Sequence, residues 1–292
     1  MNYSELIKFI KLVGLNPHLI SKLLKEPLNN VYSLLLSLFH EYQISVFPIL
    51  NTEKLGLWKA VIWCEKSVIT YSKAKKLAGP LANIFRGDIE DNSFLLIFYT
   101  NPTVFEEAKT NYEEIFKKLN MDCSVNLVLQ SFRFINDENC YNFDVRKWIC
   151  NRKDVYISVP SRKFINLDKK DVDLLTSIQV NPSIPYWRNL HYKHIKATLH
   201  GFMYTLGKTN YIIDIKSRKI VDNPYLVWSA QLDNGEYLAE YHTDKENLKN
   251  ILDKNTGEII LAVKDLNYAH GFSIPFEIFK DNKWKIPKIK IE

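Results

Sequence analysis

The chain is short of glycine and of the motifs that glycine builds. Only 9 of its 292 residues are glycine, and neither Gly-x-Gly-x-x-Gly nor a Gly-Lys-Ser/Thr phosphate loop occurs. Because such loops hold nucleotide phosphates through backbone amides, their absence disfavours a nucleotide-driven enzyme. Apolar runs such as residues 94–99 are too short to span a bilayer, and the N-terminus shows no signal-peptide pattern. We therefore expect a cytoplasmic protein with no membrane partner.

Cysteine is also scarce. The four cysteines are Cys64, Cys123, Cys140 and Cys150, with no Cys-x-x-Cys pair and no histidine at zinc-finger spacing. Cysteines of cytoplasmic proteins are usually reduced, so we expect four buried thiols. No sequence motif indicates a cofactor.

Positive charge, in contrast, is concentrated in one segment. The formal net charge is +6. Residues 161–220 hold 11 Lys/Arg against 4 Asp/Glu, a net charge of +7, whereas residues 221–292 hold 9 against 12, a net charge of −3. The hydrophobic fraction of 46% is that of a globular protein, and the length allows two or more domains. A positive field this localised is typical of a module that binds a polyanion.

Residues 1–50 show three helical patterns followed by one strand pattern. Ser4 is a candidate N-cap for a helix to about Val13, and Asn16-Pro17 begins the second helix. A third helix is expected at residues 30–42 and a strand at residues 43–50, which together predict a winged helix-turn-helix. The third helix lacks Lys and Arg, so we expect weaker DNA contacts there, or a packing role. Its candidate DNA-contacting residues are Asn30, Tyr32, Ser33 and Ser37.

Residues 51–160 alternate strands and helices in the order βαββαβ. A strand begins near Leu57, the turn between the second and third strands falls at residues 90–92, and Thr103 is a candidate cap of the second helix. This order predicts a ferredoxin-like regulatory and dimerisation domain. If a small-molecule effector binds, we expect it in this domain or between it and a dimer mate.

These segments resemble the leucine-responsive regulatory protein (Lrp/AsnC) class, and more closely an archaeal branch with two winged helix-turn-helix modules. EKLGL at 53–57 is similar to the start of that family's linker, and FDVRKW at 143–148 to the strand that leads out of its regulatory domain. LDKKDVDLLTSIQ at 167–179 resembles the family's D-x-x-D-x-x-I-L-x-x-L-Q opening, and histidines follow around a helix as in its recognition helix. The resemblance covers most of residues 1–220 and implies a dimeric DNA-binding transcription regulator.

Residues 161–221 predict the second winged helix-turn-helix. Asp168 and Asp171 form an acidic capping box, and residues 186–190 are too short for a full second helix, which departs from the family's pattern. We expect the recognition helix at residues 192–204 and the wing hairpin at residues 211–221. The candidate DNA-contacting side chains are Arg188, Asn189, Tyr192, Lys193, Lys196, His200, Lys208, Lys216, Arg218 and Lys219. Of these, Arg188 and Asn189 are the best suited to read base edges.

Three histidines in this module suggest a metal site as an alternative. His191, His194 and His200 are closely spaced, but we find no Cys or carboxylate at a suitable spacing. We therefore expect no metal.

Residues 222–292 predict a small C-terminal α/β domain. Strands are expected at residues 225–232, 237–241 and 259–263, with a hairpin turn at Asp233-Asn234-Gly235 and a helix at residues 244–252. Four aromatic residues either form a small core, which we favour, or line a pocket. They are Trp228, Tyr237, Tyr241 and Trp284.

The sequence as a whole predicts an α+β protein that binds double-stranded DNA as a homodimer and is not an enzyme. The alternative is a winged-helix interaction scaffold that has lost DNA binding. An enzyme would have to use Asp88, Glu90 and Asp91, which have no partner histidine or nucleophile at a meaningful spacing.

Overall fold

The computed structural model describes residues 2–67, 69–88, 93–161, 163–255, 258–263 and 268–287. Its helices are α1 Tyr3–Val13, α2 Pro17–Leu24, α3 Leu28–His40, α4 Tyr71–Ala78, α5 Phe105–Lys118, α6 Lys169–Val180, α7 Tyr192–Ile195 and α8 Lys245–Lys254. Its strands are β1 Ser45–Leu50, β2 Trp58–Glu65, β3 Ala82–Asp88, β4 Ser93–Thr100, β5 Asp122–Asn136, β6 Tyr141–Asn142, β7 Lys147–Trp148, β8 Lys153–Ser158, β9 Leu199–Thr205, β10 Tyr211–Ser217, β11 Leu226–Leu232, β12 Tyr237–Thr243, β13 Ile259–Val263, β14 Ala269–Gly271, β15 Phe279–Lys280 and β16 Lys283–Trp284. The expected α+β class is therefore confirmed.

One large antiparallel sheet contains two runs of strands with the same order. The sheet runs β13-β10-β12-β11-β5-β2-β4-β3-β14, with β8 pairing β5 beside this path. One half of the sheet is β13-β10-β12-β11 and the other is β5-β2-β4-β3. When the four strands of each half are numbered in chain order, both halves have the strand order 4-1-3-2. The long strand β5 joins the two halves, because it pairs β2 along its first part and β11 along its second.

The two halves of the sheet curl so that one face of each points inward. Arg86 on β3 reaches Glu240 on β12, and Lys216 on β10 reaches Glu65 on β2 and lies over the Trp63 ring. Alternate residues of each strand point to opposite faces, so the neighbouring positions point outward.

Helices cover the outward faces. Tyr112 of α5 packs edge-on against Phe98 of β4, with ring centroids 5.3 Å apart. On the other half, Ile251 of α8 belongs to a separate buried cluster with Ile213 and Tyr241. Each half thus has its own helical layer, while the space between the halves is left to the inward side chains.

The first three helices and β1 form close to their expected positions. Asn16 caps α2 by accepting a hydrogen bond from Leu19 N at 3.0 Å, with Pro17 in the first turn, as predicted. The cap of α1 is Asn2 rather than Ser4, since the Asn2 side chain accepts from Glu5 N at 2.8 Å. Likewise Asn101, not Thr103, holds the turn before α5, accepting from the backbone N–H of Thr103 at 2.9 Å.

The expected recognition helix at residues 192–204 is wrong. Helix α7 ends at Ile195, and the chain then enters β9, which pairs antiparallel with β1 of the first module. A helix cannot continue here because Gly201 has φ +123° and its Cα approaches Lys11 O so closely that a Cβ would lie 2.6 Å from that oxygen. Strand β1 of the first predicted module and strand β9 of the second therefore form one two-stranded sheet.

The expected wing at residues 211–221 is also wrong. Strand β10 pairs with β12 and β13 of the large sheet instead of folding back on residues 219–221. The three strands and the helix expected after residue 222 do form, and so does the turn at Asp233-Asn234-Gly235, where Gly235 has φ +85°. They build the second half of the large sheet together with β10.

The cysteines are paired, so the prediction of reduced thiols is wrong. Cys64 bonds to Cys123, which lies directly opposite on β5, and Cys140 bonds to Cys150. Sequence spacing carried no signal for the first pair because its partners are 59 residues apart. The helices of the described residues are all too short or too polar to cross a bilayer.

We predict that Gly201→Ala destabilises the chain by about 1–3 kcal/mol, the range for a strained backbone position. The added methyl would meet Lys11 O, and alanine disfavours a positive φ. Urea unfolding measures the loss. Gly271→Ala is the matched control, because its added Cβ would have no neighbour within 4 Å. Equal unfolding midpoints for the two variants would contradict the close approach of α1 to β9.

Candidate functional site

A cavity of about 520 Å³ lies where the β1-β9 pair and the end of α6 face the large sheet. Its wall combines apolar side chains with several charged ones. Its lining includes Phe47, Arg86, Arg133, Met203, Glu240 and His242. Another cavity, of about 470 Å³, opens beside Lys170 and His191, and one of about 370 Å³ is lined mainly by apolar and amide side chains around Phe164 and Trp284. The first cavity is the candidate site because two arginines, a glutamate and a histidine from different strands converge on it.

The charged residues occupy one row across the sheet. Arg133 on β5 pairs in register with Trp228 on β11, Trp228 with Glu240 on β12, and Glu240 with Asp214 on β10. Residues directly opposite on neighbouring strands share a face, so all four side chains point into the space between the halves. A bulge at Leu226/Trp228 sets this register, and Val227 at the bulge lines the cavity.

Arg86 comes to this row from the other half. Its Nη2 lies 3.5 Å from Glu240 Oε1 and its Nε lies 3.9 Å from Asp214 Oδ2. Its side chain is 7% exposed and that of Asp214 is fully buried. Because buried charges are costly unless they are paired, this contact fixes how closely the two halves approach.

Histidine 242 extends the charged group along β12. It lies two residues after Glu240 and therefore on the same face, and its Nε2 is 2.6 Å from Glu240 Oε1. Glu240 thus receives both a guanidinium and an imidazole, while its Oε2 has no hydrogen-bond partner among the described residues.

The two carboxyls of the row differ in their ionisation. Burial raises the pKa of Asp214 well above its ordinary value, and the Glu240 charge adds to this effect. Burial also opposes ionisation of Glu240, but Arg86 and His242 outweigh it and lower its pKa. These surroundings favour the ionised form of Glu240 and the protonated form of Asp214.

Arg133 differs from Arg86 in having no carboxylate partner. Among the residues that the structure describes, no carboxylate oxygen lies within 4.0 Å of its guanidinium, which sits 5.6 Å from the centroid of the Trp228 ring. Burial lowers the pKa of Arg133, although the Glu240 charge acts in the opposite direction. The cavity wall thus carries a cation whose charge is not directly compensated.

The segment that contains β14 forms the rim of the cavity. It pairs with the edge of β3, and Arg86 Nη1 donates to His270 O at 3.2 Å. Ile274 N donates to the Gln179 side chain at the end of α6, at 2.9 Å. The rim therefore ties the sheet to the helical part of the chain.

The residues predicted to bind DNA lie on separate elements. Those in the expected recognition helix and just before it are mostly exposed, but they lie on short elements. Arg188 ends a 3-10 turn and Asn189 follows it, Tyr192 and Lys193 lie in the single-turn α7, and Lys196 follows α7. Of the expected wing residues, Arg218 and Lys219 are exposed beyond β10 and Lys208 precedes that strand. Lys216 does not lie on the expected exposed wing, because its side chain points inward to Glu65.

The other residues predicted to bind DNA are also partly exposed and partly held in contacts within the chain. His200 lies on β9 with its ring 5.7 Å from Tyr156, and burial lowers its pKa. Asn30, Tyr32 and Ser33 of α3 are exposed, whereas Ser37 bonds to Tyr3 and Glu41. The four C-terminal aromatics line no common pocket among the described residues: Trp228 faces inward, Tyr241 packs under α8, and Trp284 packs edge-on against Phe279. Glu90 and Asp91 lie outside the described residues.

Sequence reasoning missed Arg86, Arg133, Glu240 and Asp214, although a signal was present. Each charge stands among apolar or small residues within its strand, as in IFRG, FRF, LAEY and IIDI. Charged residues are rarely buried unless they are paired, so four of them in strands covered on both faces indicate an internal ionic site. Only the fold could show which charges meet.

Comparison with known proteins gives a coarse likeness only. No protein-family model matches the sequence, and no curated protein matches it. The fold is similar to the crystal structure of the siroheme decarboxylase NirDL, with a TM-score of 0.45 and 11% identity over 94% of this chain and 95% of that one. It is also similar to that of NirDL in co-complex with an iron-uroporphyrin III analogue, with a TM-score of 0.46 and 11% identity over 90% and 91%.

These matches correct the expectation that the chain is not an enzyme, because the solved structures that resemble it are those of an enzyme. No comparison shows membership of the Lrp/AsnC class, and none supports DNA binding.

We predict that the free energy of unfolding of Asp214→Asn, relative to that of the unchanged protein, increases as pH rises. A carboxyl whose pKa is raised by folding contributes its full stability below the unfolded pKa and loses it as pH climbs towards the folded pKa. The native protein should therefore lose up to about 1.4 kcal/mol per pH unit through this group, a loss that asparagine does not share. Urea unfolding at pH 5 and pH 8 measures the difference, with the exposed Asp144→Asn as control. An Asp214→Asn effect that is independent of pH would show that Asp214 is ionised in the folded protein.

Proposed function

We propose that the charged cavity binds an organic molecule bearing carboxylate groups and that the chain acts on it as an enzyme. The observation that carries the proposal is Arg133, a cation in the cavity wall that has no carboxylate within ion-pair distance in the part of the chain that the structure describes. Arginine presents a planar fork of donors that matches a carboxylate. A carboxylate of the ligand would supply the missing counter-charge.

The walls of the cavity suit a large, flat, mainly apolar body. Phe47, Met203 and Phe272 lie around the charged row, and a volume of about 520 Å³ is within the usual range for organic ligands. A tetrapyrrole with carboxylate side chains has both features. This is the ligand class of the iron-uroporphyrin III analogue in the NirDL complex.

Decarboxylation is the reaction that we propose for this site. The bond between the carboxylate and its carbon breaks, CO₂ leaves, and the electron pair stays on a carbon attached to an electron-accepting ring. That carbon then takes a proton. His242, held by Glu240 at 2.6 Å, is placed to supply the proton, while Arg133 orients the carboxylate.

Double-stranded DNA is the second candidate ligand. Exposed Arg188, Lys193 and Lys196 lie within nine residues of one another and face solvent around α7. A regulator of this kind would bind DNA as a homodimer, as the sequence resemblance implies, with a small-molecule effector in the cavity. The absence of a full recognition helix weighs against this candidate, since α7 is a single turn.

We predict that Arg133→Met weakens binding of iron-uroporphyrin III by about 10- to 100-fold, the value of a hydrogen bond to a charged group. Titration followed by the absorbance of the tetrapyrrole measures the dissociation constant. Mass spectrometry of the same mixtures then tests for loss of one CO₂ per step, and His242→Gln should slow that loss more than it weakens binding.

Arg188→Met is the matched control, because it removes an exposed arginine outside the cavity. Fluorescence anisotropy with duplex DNA at two salt concentrations completes the test. If Arg133→Met loses tetrapyrrole binding and Arg188→Met does not, the result supports the proposed enzyme. Tight, salt-sensitive DNA binding that is weakened only in Arg188→Met would favour the regulator instead.

A further inference from the structure

Two short motifs far apart in sequence place two carboxylates and two histidines together. Asp168 and Asp171 are three residues apart at the start of α6, and His191 and His194 are three residues apart around α7. One ligand atom from each of the four lies within 4.8 Å of all the others. The sequence alone offered the histidines no carboxylate, because the partners are about twenty residues away and meet only through the fold.

The capping box of α6 fixes how the two carboxylates are oriented. Asp168 Oδ1 accepts from Asp171 N, and Asp171 Oδ2 accepts from Asp168 N, both at 2.9 Å. Each carboxylate thus uses one oxygen for the helix cap and leaves the other towards the histidines. Backbone hydrogen bonds that hold ligands in this way are typical of the outer shell of metal sites.

The free oxygens and the ring nitrogens converge. Asp171 Oδ1 lies 2.9 Å from His191 Nδ1 and 3.2 Å from His194 Nδ1, and Asp168 Oδ2 lies 3.5 Å from His191 Nδ1. Neighbouring ligands of a tetrahedral zinc ion, bound at roughly 2.0–2.1 Å, are separated by about 3.3 Å. These three separations bracket that edge length, and the other three pairs of ligand atoms lie within 4.8 Å. A single ion would therefore need the outer ligands to move inward, which the exposed His194 can do.

The exposure of the four side chains suits a site that is anchored but accessible. Asp171 is 1% exposed, His191 is 22% and His194 is 58%. The buried Asp171 carboxylate would hold the ion in a fixed position, and the exposed His194 leaves an entry path from solvent. Two carboxylates and two neutral imidazoles together carry the charge that a divalent cation neutralises.

We propose that Asp171, Asp168, His191 and His194 form a site for a divalent first-row transition cation such as Zn²⁺. The ion would bind Asp171 Oδ1, Asp168 Oδ2 and the Nδ1 atoms of both histidines, whose ring protons move to Nε2. Nitrogen and oxygen ligands in this combination suit Zn²⁺ rather than Mg²⁺ or Ca²⁺. The ion would join α6 to α7 across residues 181–190, which otherwise contain a single 3-10 turn.

The test is a titration of the full chain, freed of metal by a chelator and kept with its disulfides intact. Co²⁺ is added first, because its visible absorption reports its ligands, and Zn²⁺ is then added in competition. We expect one equivalent per chain. His191→Ala and His194→Ala should each weaken binding at least about 10-fold, the lower figure known for loss of even an outer-shell partner.

His40→Ala is the control, since His40 is exposed on α3 and lies outside the cluster. Circular dichroism checks that every variant is folded. Because the His194 side chain is exposed, we expect His194→Ala to keep the fold. One saturable equivalent that survives in His40→Ala and is weakened in both cluster variants supports the site. No saturable binding, or equal affinity in His194→Ala and the unchanged chain, overturns it and leaves a hydrogen-bonded His–Asp cluster.

Discussion

The contact of Arg86 with Glu240 and Asp214 is the constraint on which the rest of the structure depends. Arg86 belongs to a strand near one end of the large sheet, and its partners belong to strands near the other end. The contact therefore exists only when the sheet is curled. Breaking it would leave buried, uncompensated charge, which is far more costly than losing an exposed ion pair. The curl in turn places Arg133 and His242 in the wall of one cavity.

An apolar interior of the same volume would stabilise the chain at least as well. Buried ion pairs seldom contribute more than well-packed hydrophobic side chains, because desolvation offsets most of their attraction. Here the cost is increased by Asp214, whose carboxyl is fully buried and has no hydrogen-bond partner among the described residues. Stability therefore does not explain this group of charges. The proposed ligand would account for these charges, which is why we place the proposed chemistry at the charged row.

Local sequence patterns predicted individual elements better than their assembly. The caps Asn16 and Asp168, the turn at Gly235 and the order of elements through β5 follow from short-range signals and are confirmed. The recognition helix was wrong because the apolar spacing around Phe202 fits a helix as well as a strand, and the close approach at Gly201 is a tertiary constraint. The cavity and the His–Asp cluster could not be predicted, since their members are brought together by pairings between distant segments.

The two halves of the sheet show how such a site arises on a repeated framework. In each half the first strand pairs with the third, from Trp58 opposite Thr100 and from Tyr211 opposite Thr243. Three residues further along each pairing, Val61 lies opposite Ile97 in one half and Asp214 lies opposite Glu240 in the other. Equivalent inward positions are thus apolar in one half and acidic in the other. Because the same strand order tolerates an apolar pair at these positions, the framework does not require the acids. Their presence in one half only is better explained by the cations Arg86 and Arg133 that the other half supplies, and by what those cations bind.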